Sequence, residues 1–163
     1  MRELILAGFD GNNNPARTVT EKVNCDCRKI ILPNNREEAA SMLLSEISRE
    51  STACVVMLGQ KPCIRDKAAV EPCASLCGET LRTNMDVTVI RDMIRDSGYN
   101  AYISRGCGNS YCNHVYFECL KSGVNCVFLH VPCADNISDM SALIRAIEEL
   151  LNNIAAVPAA LAL

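Results

Sequence analysis

Ala101-Tyr-Ile-Ser-Arg-Gly-Cys-Gly-Asn-Ser-Tyr-Cys-Asn-His-Val-Tyr-Phe-Glu-Cys-Leu-Lys-Ser-Gly-Val-Asn-Cys-Val-Phe-Leu-His-Val-Pro132 changes its periodicity twice within one stretch. Ala101–Ser104 reads as a short strand, Gly106–Asn109 as a turn, and Tyr111–Lys121 as a helix ended near Gly123. Cys126–Val131 is a continuous apolar run stopped by Pro132, the signature of a strand buried on both faces. The same alternation extends outward. Glu3–Ala7, Arg28–Leu32 and Ala53–Leu58 are strand candidates, the first running into a polar loop at Gly8–Pro15 and the third ending at Gly59-Gln60. Arg36–Glu50, Asp86–Ser97 and Asp139–Asn153 carry apolar residues at helical spacing. Lys61–Thr83, with Pro62, Pro72 and Gly78, reads as mostly irregular. Strands alternating with helices imply an α/β chain, a single-domain α/β/α sandwich over residues 1–163 with a mostly parallel sheet.

Composition narrows the partners. The 163 residues are 49% hydrophobic and 21% charged with a net charge of -3, as expected of a globular domain and not of a disordered chain. A nucleic-acid partner calls for a basic surplus, which is missing. The apolar tail Ile154–Leu163 is too short to cross a membrane and contains Pro158. Eleven cysteines are the unusual feature. Their odd number, and a start without the pattern of a secretory signal, favour reduced thiols in the cytoplasm over a disulfide scaffold. Cys25-Asp-Cys27 and Cys73-Ala-Ser-Leu-Cys77 are not spaced as a paired zinc knuckle, and the two histidines do not complete one, so neither metal nor cofactor is expected.

In sheets of this kind ligands bind beyond the carboxyl ends of the strands. Two such places hold residues able to react together. Cys112 falls in the first turn of its helix, where unpaired NH groups and the helix dipole favour a thiolate and could hold an oxyanion. His130 ends the next strand and could take the thiol proton and return it to a leaving amine. Cys107 is a rival nucleophile in the glycine turn, without helical NH groups directed at it. His114 is a rival base, but two positions along a helix face different ways. The residues also allow Cys112 to be one more core thiol and His130 a satisfied buried histidine.

Ser104-Arg-Gly-Cys-Gly-Asn-Ser-Tyr-Cys-Asn-His-Val-Tyr116 and Val127-Phe-Leu-His-Val-Pro132 resemble the nucleophile and base segments of the pyroglutamyl peptidase I family. Gly8-Phe-Asp10, Asn14-Pro15 and Leu58-Gly-Gln60 are similar to further elements of that family. The resemblance spans nearly the whole chain and implies a phosphorylase/hydrolase-like fold. It also implies a cysteine exopeptidase that removes N-terminal pyroglutamate or a related cyclic amide through an acyl-enzyme. By the same resemblance Cys112 is the nucleophile, His130 the base and Glu71 the carboxylate orienting it. Phe9, Asn14 and Gln60 fall at substrate-binding positions, and the subunit forms homo-oligomers. The chain departs from the family where Gly11-Asn-Asn-Asn14 replaces a Pro-Phe-Gly-Gly loop. It departs again between Cys73 and Arg82, where an Ile-Pro-Asp-Asn element is missing, and at Pro72 and Leu76. These departures point to altered substrate choice, or to a binding protein repurposed on the same scaffold.

Overall fold

The computed structural model of the chain describes residues 3–49, 52–108 and 110–156. Six strands form the central sheet in the order β2-β1-β3-β8-β4-β7: Arg28–Leu32, Glu3–Phe9, Thr52–Lys61, Asn125–Pro132, Lys67–Glu71 and Asn100–Ile103. β1 pairs in parallel with β2 and β3, and β3 with β8. β4 and β7 are parallel to each other, but β4 runs antiparallel to β8 with Ala69 opposite His130 and Glu71 opposite Phe128. The sheet is therefore mostly parallel with one reversed pair.

Alternate residues of the strands build two apolar layers. Leu4, Leu6, Val56, Leu58, Val127 and Leu129 meet α1 (Pro15–Lys22), α3 (Val87–Asp96) and α5 (Met140–Ala156). Ile5, Ala7, Met57 and Phe128 meet α2 (Arg36–Arg49) and α4 (Tyr111–Lys121) on the other face. This is the α/β/α sandwich expected from the alternation of elements. Among the described residues no helix is long and apolar enough to cross a membrane. The expected last residue of α2, Glu50, the end of the turn, Asn109, and most of the apolar tail lie outside the described residues.

Three expectations need correction. The polar loop after β1 is followed at once by α1, whose start is written as Asn14-Pro15: the Asn14 side chain accepts from the Ala16 amide at 2.9 Å, and proline occupies the first turn. Gly8 lets this helix lie on β1, since a Cβ there would meet the Thr20 side chain and come within 2.7 Å of the Ala16 carbonyl. Asn14→Ala removes the cap and is expected to lower the unfolding free energy by about 1 kcal/mol in urea titration.

Lys61–Thr83 is not irregular. It holds β4 and a hairpin of β5 (Cys73–Leu76) and β6 (Glu79–Arg82), which packs on α4. Pro62 and Pro72 fall between these strands, where they remove no ladder hydrogen bond. Cys77 (φ 49°) and Gly78 (φ 81°) form a two-residue turn with both φ positive, a hairpin connection not signalled by a Cys-Gly pair.

The cysteines are not all reduced. Cys73 and Cys107 form a disulfide across a Cα separation of 5.0 Å, beside a parallel bridge between Ala74 and Gly108, and the other nine cysteines are free. Burial pushes the thiols of Cys54 and Cys126 up, Cys54 to about 12. Above about pH 9 the unfolded chain loses these protons while the native chain keeps them, so the unfolded state binds fewer protons and stability falls. The expected decline is about 1.4 kcal/mol per pH unit for each such thiol, beginning near pH 9 and ending near the native pKa. Urea unfolding repeated at rising pH measures the slope, and a flat profile would contradict it.

Candidate active site

On the α2/α4 face, at the ends of β3, β4 and β8, lies a cavity of ≈ 350 Å³. Glu71, Cys112 and His130 all line it, together with Gln60 and Lys61. Glu71 closes β4 and is 2% exposed. One of its oxygens, Oε1, takes the Ser104 hydroxyl at 2.8 Å and His130 Nδ1 at 2.7 Å, with Lys61 Nζ at 3.8 Å. Its backbone carbonyl accepts from the Tyr116 hydroxyl of α4 at 3.0 Å. Three elements thus hold the carboxylate, β3 through Lys61, β7 through the residue after it, and β8, while α4 holds the backbone of the same residue.

An ionised carboxylate only accepts, so its bond to Nδ1 keeps the imidazole proton there and leaves Nε2 its lone pair. Nε2 has no partner among the described residues. The imidazole is set by the Phe128 ring, 4.4 Å away between centroids, and Phe128 is packed in turn by Tyr116 and Phe9. Gly59, opposite His130 in the sheet, makes room for this arrangement. A Cβ there would stand 2.8 Å from the Phe128 ring and 3.5 Å from Cys112 Sγ. Gly59→Ala must displace the ring that seats His130, at a cost of about 1–3 kcal/mol, and thermal unfolding together with a turnover assay should register both losses.

Cys112 sits in the first turn of α4, 7% exposed. The expectation of a lowered thiol pKa is overturned: burial pushes Cys112 up to about 11, against smaller lowering effects from Tyr111, its own backbone NH and Ser110. The helix dipole is worth about 0.3–1 kcal/mol, less than one pKa unit, whereas desolvation of a buried charge reaches several units. Iodoacetamide at neutral pH is therefore expected to label Cys112 more slowly than the exposed Cys63 and Cys77 in peptide mapping, the reverse of what the helix position alone implies. Faster labelling of Cys112 would contradict its burial.

The other candidate residues fall as follows. Cys107 lines the cavity but is bound in the disulfide, so it offers no free thiol. His114 does not line it, and its Nδ1 is buried without a partner. Gln60 is on the cavity wall, Asn14 is the α1 cap, and Phe9 is 1% exposed, edge-on to Tyr111 at 5.3 Å. Ser104, Lys61 and Tyr116 were not foreseen as partners of Glu71. Ser104 and Lys61 could have been suspected from their places at strand ends, Ser104 closing Ala101–Ser104 and Lys61 following Gly59-Gln60; Tyr116 carries no sequence signal. Among the described residues no group of three or more His, Cys, Asp or Glu side chains could hold a metal.

An α/β/α sandwich with a mixed sheet and a cavity at its strand ends is the class of protein so defined. No family model matches the sequence, and no curated protein does. Solved structures do match. Pyrrolidone carboxyl peptidase from Thermococcus litoralis superposes with a TM-score of 0.82 at 20% identity, over 97% of this chain and 95% of that one. Pyroglutamyl peptidase I from Bacillus amyloliquefaciens gives 0.82 at 16% identity, over 95% and 96%. Pyrrolidone carboxyl peptidase from Fervidobacterium islandicum AW-1 gives 0.79 at 16%, over 96% and 99%. The chain has the fold of these peptidases over almost its full length.

Proposed function

We propose that the protein is a cysteine exopeptidase of the pyroglutamyl peptidase I type, a single domain over residues 1–163, cleaving an N-terminal pyroglutamyl or related cyclic-amide group from a peptide. The observation that carries this reading is the buried 2.7 Å contact between His130 Nδ1 and Glu71 Oε1 in the cavity that also holds Cys112. A protonated resting thiol asks the base to act during attack. His130 Nε2 takes the Sγ proton as sulfur adds to the scissile carbonyl, and Glu71 supports the imidazolium. NH groups at the start of α4 face the developing oxyanion. The imidazolium then protonates the leaving amine, and water, activated by the same nitrogen, releases the acyl group from sulfur.

Substrate choice departs from that of the relatives. Phe9 belongs to the apolar layer, and the segment Gly11–Asn14 turns into the α1 cap, so Tyr111, 39% exposed, is the aromatic ring left on the cavity wall. One lost aromatic contact is worth about 0.5–1.5 kcal/mol, a several-fold to roughly tenfold weaker complex with ordinary pyroglutamyl substrates. The experiment is hydrolysis of a pyroglutamyl-coupled chromogenic substrate by the wild type and Cys112→Ser, reading kcat and KM separately. A reading as a binding protein without turnover is favoured by the raised Cys112 pKa, and ligand binding by a protein that shows no hydrolysis at any substrate concentration would establish it. Nine free thiols, with Cys63 and Cys77 exposed, support a cytoplasmic site of action, and the family resemblance supports a homo-oligomer, which sedimentation tests.

A further inference from the structure

The two arms of the cavity are joined by a covalent bond. Cys73 lies two residues after Glu71, at the start of β5, and Cys107 lies five residues before Cys112, in the turn that leads into α4. Ser104, at the root of the second arm, is fixed to the first by its N–H on the Val70 carbonyl at 3.0 Å and its hydroxyl on Glu71 Oε1 at 2.8 Å, and the Tyr116 hydroxyl reaches the Glu71 carbonyl deeper in the layer; between Ser104 and the helix the described link is the Ala74–Gly108 bridge beside the disulfide. The turn itself is thinly held. Gly106 is exposed and a Cβ there would meet nothing, and Ser110, at the helix start, makes no side-chain capping bond. Gly108 rests on Asn113, where a Cβ would come within 2.8 Å of the side-chain carbon, and Asn113 Nδ2 is buried without a partner. Ser104 and the body of α4 are thus fixed against Glu71 and the hairpin, whereas the turn between them is tied to that arm by the Ala74–Gly108 bridge and the disulfide.

We propose that the Cys73–Cys107 disulfide is a reducible clamp that sets the position of the Cys112 helix start against the Glu71–His130 pair, so that a dithiol reductant switches the site from closed to open. The wall role of Cys107 stands on the geometry; the effect on turnover rests on the function proposed above. Cys73 is 2% exposed and Cys107 partly exposed, so Cys107 Sγ is the sulfur open to attack. A thiolate of the dithiol bonds to Cys107 Sγ, the disulfide breaks, and Cys73 leaves as a thiolate that takes up a proton. The second thiolate of the reductant then attacks its own sulfur in the mixed disulfide and releases Cys107. Two electrons pass to the protein, and the reductant ends as a cyclic disulfide.

The test uses the full chain treated with dithiothreitol, freed of excess reagent, and then pulsed with iodoacetamide at neutral pH for peptide mapping. Before reduction Cys73 and Cys107 should resist labelling and Cys112 should label slowly. After reduction Cys107 should label readily and Cys112 several-fold faster, because the turn over it is released. Turnover of the chromogenic substrate should fall roughly tenfold to a hundredfold through misplacement of the sulfur, mainly in kcat, and should return on reoxidation. Cys73→Ser combined with Cys107→Ser should behave as the reduced protein and ignore dithiothreitol. Labelling of Cys73 and Cys107 without reductant overturns the proposal, as does reduction that leaves both Cys112 labelling and turnover unchanged. Loss of the far-UV circular dichroism signal on reduction also overturns it, by making the bond a global and not a local constraint. A protein that never turns over the substrate, yet whose Cys112 labelling still follows the redox state, fails the peptidase reading and keeps the clamp.

Discussion

Cys112→Ser is expected to reduce hydrolysis of a pyroglutamyl substrate by roughly 10⁴-fold or more while leaving substrate affinity and folding nearly unchanged. Sulfur and oxygen differ little in volume here, and Cys112 is a small part of an apolar layer that includes Phe9, Tyr116 and Phe128, so the packing persists. What is lost is the proposed nucleophile. A serine hydroxyl in the same burial is far harder to deprotonate than a thiol already raised to about 11, and His130 Nε2 is a weak base for it. The measurement is kcat against KM for the chromogenic substrate, with thermal unfolding as the control. Residual turnover within tenfold of the wild type would remove Cys112 from the mechanism. Equal loss with Cys63→Ser, an exposed thiol, would show the assay to follow something else.

The second large effect is at Glu71. Glu71→Gln keeps the shape but replaces the carboxylate at the 2.7 Å contact by an amide, removing the charge proposed to support the imidazolium and allowing the amide NH₂ to face Nδ1, which would select the wrong tautomer. A fall of about 10²–10⁴ in kcat is expected, with KM altered far less. The same substitution leaves the Lys61 ammonium, 3.8 Å from Oε1, without its counter-charge, so some loss of stability should accompany it. Lys61→Met is the companion variant: it takes away the ammonium but not the Nδ1 contact. If Lys61→Met alone reproduces the whole loss in kcat, the carboxylate acts through Lys61 and not through His130.

Much of the architecture is written locally. The strand Cys126–Val131 and the helix Tyr111–Lys121 follow from an apolar run and a helical stripe, and both stand where periodicity puts them, within a residue at each end. Strand β4 was invisible for a physical reason. Lys67-Ala-Ala-Val-Glu71 has two alanines, low strand propensity and no alternation, and it is a strand because β8 and β7 offer hydrogen-bonding edges on both sides of it. The hairpin after it was masked by Pro72 and by a turn of Cys77-Gly78. Glu71 was reached by resemblance alone, as a loop carboxylate; its burial depends on the strand that the pattern did not show.

By itself the sequence determined the order of elements, because helix and strand periods are properties of neighbouring residues. It likewise put a cysteine at a helix start and a histidine late in a buried strand. Only the tertiary structure decided which groups face one another. Inserting β4 antiparallel beside β8 brings Glu71 to His130 across 59 residues of chain, and Lys61 and Ser104 onto the same oxygen. It also decided the state of the thiols. The helix position of Cys112 argues for a thiolate, but the rings and strands around it exclude water, and removing a charge from water outweighs a helix dipole. Eleven cysteines in a sequence carry no pairing, and the bond between Cys73 and Cys107 exists because β5 and the turn before α4 meet in space.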